Sequence, residues 1–246
     1  MDDRKQFSEE VEVNIVKQGQ DISLHNASIN WLKESAKYKH TYMFTWLGVP
    51  IIQLPQDIVA MQEIIWETKP DLIIETGIAR GGSVIFYSSM LELLGNNGKV
   101  IGIDIDIRAH NRQTIESHPM SKNIHLIEGS STSSEVLRTV DEFIKQNNSK
   151  NIMVVLDSDH TKDHVLEELR CFSSYVKKGS YIVVFDTTIE DMPEDFFKDR
   201  HWGKNDNPKA AVHAFLTEND RFEIDKRIDH KLLISVSLDG YLKCVK

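Results

Sequence analysis

Apolar positions along this 246-residue chain follow two alternating periods. The stretch LPQDIVAMQEIIWETKP sets Ile58, Met61, Ile64 and Ile65 on one helical face. Pro55 suits its first turn and Pro70 closes it. Short, near-continuous β-branched runs then predict strands over 71–77, 99–106, 123–129, 151–157 and 180–186. Helical periods separate them: 83–95, a weak one over RAHNRQTIESH, SSEVLRTVDEFIKQN with Ser133 or Ser134 as cap, and 164–176. Runs apolar on both faces are expected where helices cover both sides of a parallel sheet, and strand–helix alternation of this kind reads as a doubly wound sheet. The end differs. After a helix over 208–219, RFEIDKRID and KLLISVSLDGYLKCV carry little helical period and are expected to pair antiparallel. The predicted fold class is α/β: a doubly wound, mostly parallel, seven-stranded sheet with an antiparallel C-terminal hairpin. Residues 1–50 read as a helical cover and 51–246 as the ligand-binding domain, in one compact unit.

Composition narrows the function. A net charge of −9 argues against a nucleic-acid partner, because phosphate backbones are held by clustered Lys and Arg. The opening MDDRKQFSEEVEV lacks the apolar core of a signal peptide, and no apolar run approaches the ~20 residues of a membrane span. Cys171 and Cys244 form no CxxC pair and read as buried thiols of a reduced, cytoplasmic protein. A homo-oligomer is left open.

Ligands of open α/β sheets bind at the carboxyl ends of the strands. There, between the first long strand and its helix, lies Glu75-Thr-Gly77-Ile-Ala79-Arg-Gly81-Gly82-Ser83. Glycines let the backbone approach a ligand, and the helix N-terminus offers free N–H groups. The spacing is ExGxxxGGS rather than the dinucleotide GxGxxG. A carboxylate at Glu75 would repel a pyrophosphate but suits the ammonium of a methionine moiety. Asp104, ending the next strand, can accept both ribose hydroxyls, and Glu128-Gly129-Ser130 ends the third, where adenine contacts are expected. Singly, each is a turn glycine or a solvated acid. In order on three successive strand ends, they favour S-adenosylmethionine over NAD(P). An open parallel sheet with an antiparallel finish is also typical of class I methyltransferases, a fold analogy.

The next strand ends in Asp157-Ser-Asp159-His160, and the one after in Asp186-Thr187-Thr188. Carboxylates gathered with a hydroxyl make a hard, oxygen-rich site for Mg²⁺, Mn²⁺ or Ca²⁺. A caps-and-loops explanation covers each acid alone but not the set beside a nucleoside site. His160 is a candidate base, since an imidazole titrates near neutral pH.

WLGVPIIQLPQDI, KPDLIIETGIARGGS, VVLDSDHTKDHVLEELR, GSYIVVFDT and ISVSLDGYLK resemble the cephalosporin-hydroxylase-type family, from about Trp46 to the C-terminus. That family is similar to rhamnosyl O-methyltransferases of the S-adenosylmethionine-dependent superfamily. The resemblance implies cofactor contacts at Glu75, Gly77, Ala79, Gly81, Ser83, Asp104 and Ser130. By similarity to catechol O-methyltransferase it implies metal ligands at Asp157 and Asp186, with Thr187 in the place of an amide and His160 in the place of the lysine base. Phe185 stands where many relatives have Glu, which removes one ligand and leaves Asp159 to complete the shell. A non-haem iron hydroxylase would need an HxD or HxE triplet, and none of the ten histidines begins one.

The implied reaction is methyl transfer to a hydroxyl, with Mg²⁺ as the expected ion. Segment 189–209 has no clear period and carries Phe196, Phe197 and Trp202 to cover a sugar, with Arg200, His201, Lys204 and Lys209 to face a phosphate. Long irregular loops in compact domains are often lids. Arg200 and Trp202 are thus the candidate substrate contacts, and the expected acceptor is a sugar of a nucleotide sugar or surface-glycan precursor. The alternatives are a catechol-like or antibiotic acceptor, or an S-adenosylmethionine-binding partner subunit without catalysis.

Overall fold

The computed structural model describes residues 3–246. Two helices lead, α1 (Asp3–Gly19) and α2 (Ile22–Ala36), and a hairpin of β1 (Phe44–Trp46) and β2 (Val49–Ile51) follows. The alternation then runs α3 (Pro55–Thr68), β3 (Leu72–Thr76), α4 (Gly82–Leu94), β4 (Lys99–Asp104), α5 (Ala109–Ser117), β5 (Ile124–Glu128) and α6 (Ser134–Asn147). It continues with β6 (Ile152–Leu156), α7 (Lys162–Phe172), β7 (Tyr181–Val184), α8 (Pro208–Glu218), β8 (Phe222–Ile224), α9 (Lys226–Leu232) and β9 (Tyr241–Cys244). No helix among the described residues is long and apolar enough to cross a membrane.

The sheet has seven strands in the order β5-β4-β3-β6-β7-β9-β8, the first five parallel. β3 pairs with β4 on one side and β6 on the other, so the chain reverses its direction of growth there. That switch point opens a crevice at the carboxyl ends of the strands. The central strands are buried on both faces, which is why β6 and β7 are apolar throughout and β3 is apolar up to Glu75, rather than at alternate positions. Tyr87, Phe86 and Met61 pack one face, and Leu169, Phe172 and Phe215 the other.

The C-terminal strands pair antiparallel as expected, Phe222 opposite Cys244 and Ile224 opposite Leu242. They are not a simple hairpin. β9 inserts between β7 and β8 and pairs antiparallel with both, and α9, which the sequence did not suggest, lies between them in the chain. Asp225 caps α9, its carboxylate accepting from the Arg227 amide. ISVS (234–237), read as part of a strand, is instead a loop. Buried Asp57, in the first turn of α3, accepts from the Ser235 hydroxyl (2.5 Å), the Val236 amide (3.0 Å) and the Tyr241 hydroxyl (2.8 Å). Burial pushes the Asp57 carboxyl up to about 6 against the pull of those bonds. The β1–β2 hairpin was not legible either. It lies across the start of α4, where a Cβ on Gly82 would stand 2.2 Å from the Pro50 carbonyl oxygen. Of the two cysteines, Cys244 is buried as expected, whereas Cys171 is only half-buried.

Candidate active site

A cavity of about 540 Å³ opens at the carboxyl ends of β3, β4, β5, β6 and β7, a volume typical of small-molecule sites. Gly77, Ala79, Asp104, Ser130, Asp157, His160 and Asp186 line it, so most of the predicted residues meet in one place. Gly77 has a φ of +80°, and a Cβ there would stand 2.0 Å from the Asp157 carbonyl oxygen. Glycine is thus required for the loop after β3 to lie against the acid-bearing loop after β6. Asp104 accepts from the Ile78 and Ala79 amides at 3.0 and 3.2 Å, fixing the loop after β3 against the end of β4.

Glu75, Gly81 and Ser83 sit behind this cavity rather than on it. Gly81 packs on Ile115, where a Cβ would fall 2.4 Å from the side chain, so it serves helix packing. Glu75 is fully buried; Oε2 accepts from the Ser83 hydroxyl at 2.7 Å, and Oε1 has no protein partner. Burial raises its carboxyl well above the ordinary range. Ser83 lines a small cleft that shares Gly77, Ala79 and Asp157 with the main cavity.

Asp157, His160 and Asp186 are the metal-capable set among the described residues, their ligand atoms all within 4.8 Å of one another. His160 lies between the two acids, Nδ1 3.2 Å from Asp186 Oδ2 and Nε2 3.7 Å from Asp157 Oδ1. Burial pushes Asp157 up to about 7, opposed by His160 and helped by the Asp186 charge. For His160 burial opposes charge, but the two carboxylates outweigh it and lift the imidazole to about 9. The imidazolium therefore supplies the positive charge that the acid pair demands. A free His160 base at neutral pH, as the sequence suggested, does not follow from this arrangement alone.

Two expectations for the ion shell change, and Phe185 stays outside it as expected. Thr187 is fully buried, and its hydroxyl donates to the Leu238 carbonyl at 2.5 Å, into the 233–240 loop rather than toward the acids. Asp159 is also engaged elsewhere: Oδ1 caps the Thr161 amide at 2.8 Å and Oδ2 meets His201 Nε2 at 3.2 Å. Phe185 is buried in the core with Tyr181 and Val183, so its position serves packing.

Segment 189–209 is largely irregular, as predicted, and part of it reaches the site. The Trp202 ring lies 4.9 Å from the His160 ring, with the Arg200 guanidinium over Trp202 at 5.2 Å. Phe196 and Phe197 face the other way, packed with Leu32, Leu54 and Met192. Lys209 pairs with Asp191 at 2.5 Å, and His201 with Asp159, so neither is a free phosphate contact. Sequence reasoning missed Thr41, Tyr42, Ile105, Ser131, Ser158 and His164, which also line the cavity. Ile105, 71% exposed and directly after Asp104, had a legible signal: an apolar residue beyond the strand end.

Comparison with known proteins places this geometry. The family model described as Rhamnosyl O-methyltransferase/CmcI matches residues 38–245. A rhamnosyl O-methyltransferase of Mycobacterium leprae is 29% identical over 149 residues, 61% of this chain and 62% of that protein. One of Mycobacterium tuberculosis (strain ATCC 25618 / H37Rv) is 28% identical over 200 residues, 80% of this chain and 77% of that protein. The matched part of the chain therefore spans less than two thirds of the M. leprae relative's length. A CmcI structure holding Mg and SAM superposes with a TM-score of 0.56 at 18% identity, over 83% of this chain and 78% of that one. At that identity the likeness establishes the shared fold.

Proposed function

The chain belongs to the rhamnosyl O-methyltransferase/CmcI family, and from that premise we propose that it transfers the methyl group of S-adenosylmethionine to a sugar hydroxyl in the presence of a divalent cation, Mg²⁺ by preference. The observation that carries the reading is one cavity lined by both the nucleoside residues and the acid pair.

The residues fit both groups. Asp104 faces the cavity where a ribose would be held, and Ser130 lies at the base end. Behind the cavity, buried Glu75 accepts from the Ser83 hydroxyl at the start of α4, beside the place an ammonium would take. Two carboxylates that already draw a cationic imidazole between them suit a divalent ion, with Asp157 and Asp186 as its ligands. When bound, the cofactor supplies the methyl group and the ion lowers the pKa of the acceptor hydroxyl.

The chain's own residues do the rest. Asp157 and Asp186 orient the acceptor oxygen, and rigid strand ends hold it in line with the donor. His160 stays protonated only while it alone answers the two acids. Once their charge is met, its pKa returns toward the ordinary imidazole value and a ring nitrogen takes the acceptor proton. Trp202 offers a face for a sugar ring, and Arg200 above it a cation for a phosphate. The rhamnosyl names of the relatives support the sugar class. The acceptor proposed is a sugar of a nucleotide sugar or surface-glycan precursor.

Methyl-labelled S-adenosylmethionine with a panel of rhamnosides, nucleotide sugars and catechols tests this. Label is expected on a sugar with Mg²⁺ and lost by tenfold or more after chelation. Transfer to catechols alone rejects the sugar reading, and full turnover after exhaustive chelation rejects the metal.

A further inference from the structure

Behind the cavity wall, Glu168 on α7 is fully buried, and the reaction described above does not use it. Its Oε1 is the acceptor for two serine hydroxyls, Ser131 at 2.6 Å and Ser158 at 2.7 Å. His164 Nε2 lies 3.4 Å from the same oxygen and 3.1 Å from the Ser158 hydroxyl. The second carboxylate oxygen is buried without a protein partner. Ser131, Ser158 and His164 line the cavity; Ser131 follows Ser130 beyond β5, and Ser158 follows Asp157 beyond β6.

Glu168 Oε1 accepts both hydroxyls. Each serine has one hydroxyl hydrogen, and both are donated to Glu168, so toward the cavity the two oxygens have only lone pairs to offer. His164 Nε2, set among these acceptors, points its own hydrogen inward too. At 2.6 and 2.7 Å both bonds are short, so the polarity is firmly set. A wall of this kind takes a ligand's N–H and repels a carbonyl oxygen.

We propose that Ser131 and Ser158, polarised by Glu168, read the purine of the bound nucleoside, accepting from the exocyclic amine of adenine and disfavouring a 6-oxo purine. This rests on the S-adenosylmethionine reading above. Glu168 is a positioning residue: it acts through the two hydroxyls and touches no ligand. Glu168→Leu removes the acceptor, which frees the serine hydrogens to turn toward the cavity and weakens or inverts the preference, whereas Glu168→Gln keeps a carbonyl oxygen for the Oε1 position and retains it.

Calorimetric titration with S-adenosylhomocysteine and its deaminated counterpart S-inosylhomocysteine tests this without turnover. Wild type is expected to prefer the adenosyl compound by about tenfold or more, the scale set by leaving one buried polar group unpaired. Glu168→Leu is expected to reduce that ratio to about threefold or below. Mere loosening of the fold weakens both ligands together and leaves the ratio unchanged. Should Glu168→Leu fail to fold, Ser131→Ala and Ser158→Ala carry the test, each lowering the ratio about threefold. No preference in wild type, or an undiminished ratio in every variant that folds, overturns the proposal. Wild type that binds neither compound overturns the methyltransferase reading with it.

Discussion

Gly77 joins the nucleoside loop to the acid pair through a single missing side chain. Its φ of +80° and the 2.0 Å approach of the Asp157 carbonyl leave no room for Cβ. Gly77→Ala is expected to destabilise the protein by about 2 kcal/mol or more and to weaken Mg²⁺ binding, because the loop bearing Asp157 must move. Denaturant melts and metal titration check both. The acid pair also gives a signed pH dependence. Asp157 is pushed up to about 7 by burial, and His160 to about 9 by two carboxylates that outweigh its burial, so protons occupy the site where the ion would sit. Ion entry must release them. Mg²⁺ affinity is therefore expected to rise with pH through roughly 7 to 9, by about tenfold per unit for each proton released. Calorimetry in buffers of different ionisation enthalpy counts that proton, and a pH-independent affinity contradicts the assignment. His160→Ala separates base from ligand: a base mutant binds Mg²⁺ normally and loses turnover, whereas a ligand mutant loses both. At this scale Asp157, Asp186, Gly77 and Asp104 were legible because strand-end position alone decides where such residues point. The direction of the Thr187 and Asp159 side chains was not, since each follows from a partner distant in sequence or from a local cap.

Helix α7 shows what a pattern reveals when one position breaks it. Val165, Leu169 and Phe172 make its buried stripe, and Glu168 lies within it. An acid on an apolar face requires buried partners, and here those are hydroxyls from the ends of two different strands. The 233–240 loop teaches the converse. ISVS has the β-branched composition of a strand, yet Asp57 on α3 holds it in another shape through two bonds, with a third to Tyr241 of β9, that no local period encodes. Asp57→Ala leaves the Ser235 and Tyr241 hydroxyls buried without an acceptor and is expected to cost about 2–4 kcal/mol in chemical denaturation. The same loop accepts the Thr187 and Thr188 hydroxyls directly after Asp186. Asp57→Ala is therefore expected to weaken Mg²⁺ binding as well as stability. Unchanged metal affinity in a folded Asp57→Ala protein removes the loop from the account of the site. Helix α9 escaped the sequence reading because it is a seven-residue element set between two strands.

For the whole molecule, five parallel strands were legible because each carries an apolar, β-branched run and each pair is separated by a helical period. Their order was not, and the structure shows the sheet reversing its growth at β3, where a ligand is expected. The N-terminal stretch was harder to read because tertiary burial leaves little trace in it: α1 buries only Ile15 along its 17 residues. The matched family segment begins at residue 38, just before the cavity-lining Thr41 and Tyr42. The whole fold thus brings strand ends β3, β4 and β5, the proposed nucleoside site, beside strand ends β6 and β7, which carry the acid pair. Equilibrium titration of S-adenosylmethionine tests that central claim most directly. Wild type is expected to bind it in the micromolar range and Asp104→Ala at least tenfold more weakly, with NAD⁺ not bound by either. Binding of NAD⁺ in place of S-adenosylmethionine, or Asp104→Ala binding S-adenosylmethionine as wild type does, contradicts the account.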